Sequence, residues 1–93
     1  MFLCFLQIMH DLHEADRILK LALDHAEKNK LKSVTKIVVG LGSVIEHGSE
    51  INPENLKFNI GVLARQTMAE NAEVVVKKIK ADTWELEEIE GEK

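Results

Sequence analysis

Val34-Thr35-Lys36-Ile37-Val38-Val39-Gly40-Leu41 is the stretch that decides the fold. β-Branched side chains dominate it, and their stiff χ1 torsions suit a pleated backbone better than a helix. Apolar residues run almost without interruption up to Gly42, the pattern of a strand largely covered by neighbours. The stretch therefore reads as a largely buried strand, central in a sheet, and the rest of the chain has to supply what covers it.

Upstream, Leu12, Ala15, Ile18, Leu19, Ala22, Leu23 and Ala26 fall at helical spacing, with Asp16, Lys20, Asp24 and Glu27 on the opposite side. This is an amphipathic helix. Asp11 with Glu14 three positions later has the form of a capping box, which predicts a helix beginning at Asp11. Residues 29–33 end it.

Downstream, residues 42–50 read as a polar loop carrying Glu46, His47 and Gly48. Asn52-Pro53-Glu54 opens a second helix, with Asn as cap and Pro in the first turn. Leu56, Ile60, Leu63 and Ala64 give its apolar face, and Gly61 weakens it by up to about 1 kcal/mol relative to Ala, for which close packing or a bend would account. Residues 72–80 read as a second strand and 83–89 as a third, joined by a turn at Ala81-Asp82, with residues 85–93 forming an acidic tail end. The expected fold class is α/β in the broad sense, more narrowly α+β. It is a small mixed three-stranded sheet with two helices on one face, in the order α-β-α-β-β.

The chain has 93 residues, enough for one small domain, and its 45% hydrophobic content is too high for disorder to be the default. Net charge is −4, with Lys and Arg scattered among the acids, so no basic stripe exists to neutralise a phosphate backbone and nucleic acid is not an expected partner. The single Cys4 allows neither an internal disulfide nor a structural zinc site, which fits a reducing cytoplasm. Residues 1–8 form an apolar extension ahead of a domain spanning 9–93. They lack a basic start and a cleavage site, so they make a poor signal peptide, and they are far shorter than the roughly 20 residues of a membrane-spanning helix. An extra edge strand, a self-association patch, or residues preceding a native start at Met9 are the readings open for them.

Chemistry concentrates in Met9-His10-Asp11-Leu12-His13-Glu14. Imidazole nitrogen and carboxylate oxygen at this spacing suit nickel, zinc or copper, which makes His10, Asp11 and His13 candidate metal ligands with Glu14 beside them. The plainer reading of Asp11 and Glu14 is the helix cap, and that of His13 is an exposed side chain. His25 near the helix C-terminus complements its dipole, and Glu46 and His47 read as solvated loop residues. Trp84 reads as a sheet residue covering the core, and Cys4 as a small apolar side chain. Gly40-Leu41-Gly42-Ser43 lacks the further glycine or lysine of a nucleotide loop, and no nucleophile sits in a recognisable setting, so an enzyme is not expected.

From Met9 onward the chain resembles the nickel-binding domain of the HypA family, metallochaperones that help deliver nickel to NiFe hydrogenase. The likeness rests on Met9-His10-Asp11 where the family opens Met-His-Glu, and on Ile37-Val38-Val39-Gly40-Leu41-Gly42 in the first strand. It rests also on Pro53-Glu54-Asn55-Leu56-Lys57-Phe58 opening the second helix, and on Thr67-Met68-Ala69-Glu70-Asn71-Ala72 leading into the next strand. The resemblance implies nickel as the metal and His10 as its primary ligand. Asp11 carries over more weakly because the family has the longer Glu there. It further implies a HypB-type GTPase and the hydrogenase large subunit as partners.

Two departures qualify what carries over. HypA proteins hold a zinc domain with paired CxxC motifs between the last two strands, whereas here Lys80 reaches Thr83 through two residues and no cysteine follows Cys4, so no structural zinc is expected. In the family the nickel-binding His is the second residue, beside a free amine that can join a planar nitrogen site favouring Ni(II) or Cu(II). Residues 1–8 would remove that amine. Two functions follow: a nickel metallochaperone, or a zinc-less HypA-like interaction module that contacts a maturation partner or self-associates through residues 1–8.

Overall fold

The computed structural model describes the backbone of residues 2–43, 45–46 and 49–93 and the side chains of residues 13–43 and 51–93. In chain order the elements are α1 (Phe2–Lys28), β1 (Ser33–Leu41), β2 (Ile45–Glu46), β3 (Ser49–Glu50), α2 (Pro53–Leu63), β4 (Glu73–Lys78) and β5 (Trp84–Glu92). The main sheet has the order β4-β1-β5, with β4 parallel and β5 antiparallel to the central β1. This is the expected mixed three-stranded sheet with two helices.

Both helices lie on one face. Ile37, Val39 and Leu41 of β1 point into that layer, beside Val74 of β4 and the half-buried Leu86 and Ile89 of β5. From α1 come Ala15, Ile18, Leu19, Ala22 and Ala26, all buried at helical spacing, and from α2 come Leu56 and Ile60. Ile18, Ile37, Val39, Leu56 and Ile60 are the largest wholly buried side chains. Each aliphatic one contributes about 1.5–3 kcal/mol of transfer free energy. β1 is central as expected but is covered on one face only. On its other face Thr35 is exposed and Val38 half-buried, and among the described residues no further layer covers them.

The turns follow local chemistry. Asn52 caps α2: its Oδ1 accepts from the backbone N–H of Glu54 at 2.8 Å and of Asn55 at 3.3 Å, with Pro53 in the first turn where its missing N–H costs nothing. The C-terminus of α1 closes as a Schellman motif. Leu31 N–H reaches Ala26 O and Lys30 N–H reaches Glu27 O, both at 3.0 Å, which forces Lys30 to φ 59°.

Three sequence expectations change. First, α1 does not begin at Asp11 but runs continuously from Phe2, so Asp11 and Glu14 form no capping box. The preceding residues include neither Pro nor Gly, and nothing in them stops a helix from propagating. Second, the segment after Gly42 is not all loop, since Ile45–Glu46 and Ser49–Glu50 pair as a short antiparallel ribbon. His47 and Gly48 lie outside the described residues. Third, the acidic tail end is part of β5, whose pairing with β1 extends to Glu92 opposite Ser33.

The connection between β4 and β5 is short and tightly sealed. Ile79 N–H donates to Leu41 O at 3.1 Å, Gly42 N–H to Thr83 O at 2.9 Å and Ser43 N–H to Ala81 O at 2.8 Å. Gly42 is required there, because a Cβ at this position would collide with the Ala81 and Thr83 carbonyls.

Candidate metal centre

The N-terminal half of α1 carries all three proposed ligands. His10 and Asp11 lie within the helix, and their side chains fall outside the described residues. His13 is exposed. By helical spacing, position 10 is one turn from positions 13 and 14. Among the described residues no group of three or more His, Cys, Asp or Glu side chains comes together to hold a metal.

Glu14 behaves differently from its neighbours. It is only 6% exposed, and Trp84 Nε1, at the start of β5, donates to its Oε2 at 2.7 Å. Its Oε1 lies 3.5 Å from Arg17 Nη1, and Arg17 Cζ sits 5.9 Å from the centroid of the Trp84 ring. The three side chains form a closed unit: a carboxylate taken up by one neutral and one cationic donor, and a cation over an aromatic face. With both oxygens engaged, Glu14 is a structural group rather than a ligand. Sequence reading placed Trp84 over the core but missed this pairing. The available signal was general: a covered indole N–H needs an acceptor.

The other side chains weighed for chemistry separate. His25 is exposed near the end of α1, and its backbone carbonyl accepts from Asn29 Nδ2 at 2.7 Å. It borders a shallow depression of about 210 Å³ with Asn29, Leu86, Glu87, Glu88 and Ile89. Cys4 and Glu46 have side chains outside the described residues. On the open sheet face, Lys77 Nζ and Glu87 Oε1 meet at 2.7 Å above Gly40. The hydrogen bond and charge of Glu87 hold the Lys77 amine above its ordinary pKa.

Residues 9–85 match the family described as hydrogenase/urease nickel incorporation metallochaperone HypA. The chain belongs to the HypA family. Among HypA relatives, the hydrogenase maturation factor HypA of Caldanaerobacter subterraneus subsp. tengcongensis is 36% identical over 73 residues, 78% of this chain and 60% of that protein. Those of Methanobrevibacter smithii and Archaeoglobus fulgidus are 32% and 34% identical, each over 80% of this chain and over 56% and 64% of their own lengths. The chain thus spans about 60% of the length of the curated relatives it matches. The solution structure of the Ni metallochaperone HypA from Helicobacter pylori superposes with a TM-score of 0.72 at 12% identity, covering 88% of this chain and 97% of that one, a likeness of fold. HypA proteins are maturation factors rather than enzymes. The HypA match opens at Met9, immediately before His10.

Proposed function

We propose that this HypA-family chain binds Ni(II) through His10 and passes it on for insertion into NiFe hydrogenase, with a HypB-type GTPase and the hydrogenase large subunit as partners. The observation that carries this reading is the start of the family match at Met9-His10. His10 supplies the imidazole nitrogen, Asp11 is the weaker oxygen ligand, and the exposed His13 is accessible to join them. Glu14 stays with Trp84.

Chain start controls the strength of this site. In a chain beginning at Met9, the free amine and the first backbone amides have no helical partners and can join the imidazole in a planar nitrogen site. In the full chain, His10 and Asp11 lie inside α1, where backbone amides are committed to the helix. Binding then depends on side chains alone, and affinity falls. Acid weakens it further, because protons compete with the metal for imidazole. On this reading no structural zinc takes part, because no cysteine follows Cys4 in the sequence.

Calorimetric nickel titration of the chain beginning at Met9 tests the reading. Stoichiometric uptake that disappears in His10→Ala supports it, and either no uptake or undiminished uptake by the variant rejects it. Intact mass of the protein from its own source establishes which start is used. The second reading, an interaction module without metal delivery, is favoured by the missing zinc module and predicts no nickel uptake from either start.

A further inference from the structure

Gly61 is the residue of α2 that the fold itself does not explain. It is exposed in the middle of the helix, where glycine weakens the backbone, and a Cβ there would meet nothing within 4 Å. The space it leaves belongs to an open groove of about 420 Å³ between α2 and β4, floored by Val62, Ala72 and Val74. That volume lies in the ordinary range of ligand sites, roughly 300–1,000 Å³. Phe58, one turn before Gly61, borders the same groove and is 68% exposed, and among the described residues no other large apolar side chain is as open.

The two walls of the groove say what fits it. β4 is an edge strand that pairs with β1 alone among the described residues. It has three consecutive valines, no proline and an unbroken register, so its outer backbone groups are open to a further strand. The helical wall is basic. Lys57 and Arg65 stand one turn on either side of Gly61 against the single acid Glu54, on a chain whose net charge is −4. Among the described residues neither cation has an ion-pair partner.

We infer that this groove receives an extended segment of a partner protein that carries an apolar residue with an acid two positions away on either side, and that the segment adds to β4 as a strand. Its main chain pairs with the β4 edge, its apolar side chain enters the space over Gly61 beside Phe58, and its carboxylates meet Lys57 and Arg65. The spacing agrees, since two residues along a strand advance about 6.6 Å, close to the roughly 5.4 Å of the helical turn that separates Gly61 from each cation. Gly61 is then the seat of the partner's apolar side chain. None of the lining residues belongs to α1, so occupation of the groove is read without nickel.

A phage-displayed library of random linear peptides, panned on the metal-free full chain and counter-selected on Gly61→Leu, tests this. Gly61→Leu fills the groove while favouring the helix, so it removes binding without unfolding the protein. The expected result is enrichment of an acid-x-apolar-x-acid pattern, with the selected peptide binding about tenfold or more weaker to Phe58→Ala and to the double variant Lys57→Glu, Arg65→Glu. Bound peptide should also slow amide exchange across residues 73–78. Circular dichroism and melting identify the variants that remain folded. The proposal is overturned if no peptide separates the wild type from Gly61→Leu, if the selected peptides bind as helices or lack acids, or if the groove fills with rising protein concentration alone, which assigns it to a second copy.

Discussion

Trp84 Nε1 donates to Glu14 Oε2 at 2.7 Å, joining the first residue of β5 to α1 across 70 positions of sequence. The bond sits beside the turn between β4 and β5, and Glu14 lies one helical turn from His10. It ties the end of the sealed β4–β5 connection to the part of α1 that carries the proposed ligands.

Trp84→Phe leaves the buried Glu14 carboxylate without its indole donor, and we expect a loss of about 1.5–3 kcal/mol, the cost of a missing charge-assisted bond. Glu14→Gln keeps a carbonyl acceptor for the indole and should cost less than Trp84→Phe. Urea denaturation of the two variants checks the order. Equal losses would mean that the neutral carbonyl of Gln does not replace the charged carboxylate as acceptor.

Gly42→Ala places a methyl group against the Ala81 and Thr83 carbonyls, which are backbone atoms pinned by their own hydrogen bonds. The turn must open to admit it, at a cost of about 1–3 kcal/mol. A fall in melting temperature, with faster amide exchange at Gly42 and Ser43, is the expected result.

Gly61→Ala should act in the opposite direction. Gly61 is exposed in α2, and a Cβ there meets nothing within 4 Å, so close packing does not explain this glycine. The gain is about 0.5–1 kcal/mol, read as a higher denaturation midpoint.

Lys30→Gly should also stabilise, by up to about 1 kcal/mol, because the Schellman closure of α1 holds Lys30 at φ 59°, where a side chain is strained. Thermal melts compare it with Lys28→Gly, inside the last helical turn, which should destabilise.

The Lys77 amine titrates above its ordinary value because Glu87 bonds to it. A folded-state pKa raised above the unfolded one gives a contribution that is fully present below the unfolded pKa and is lost as pH rises through the folded value. The window is therefore alkaline, and neutral or acid pH leaves this pair's contribution intact on the lysine side. Gly40→Ala puts a methyl group where the Glu87 carboxylate lies, displacing it from Lys77. Nitrogen-detected NMR titration should show the Lys77 pKa falling back toward that of an unpaired lysine.

Sequence alone determined the elements whose causes are local. The valine-rich run of β1, the helical spacing from Ala15 to Ala26 and the Asn52-Pro53 start of α2 each carry their reason within a few residues, and each stands where the pattern placed it. The family resemblance was legible because its landmarks are short motifs in a fixed order. Tertiary structure decided what depends on residues far apart in the chain. Asp11 and Glu14 have the spacing of a cap, yet α1 runs past them and Glu14 belongs to Trp84, because a buried carboxylate takes the donors that packing brings to it. Residues 90–92 read as an acidic tail end beyond the expected third strand, but they continue β5, because β1 reaches back to Ser33 and offers them an edge to pair with. Gly42 reads as a strand end, and only the fold shows that it also makes room for the turn between β4 and β5.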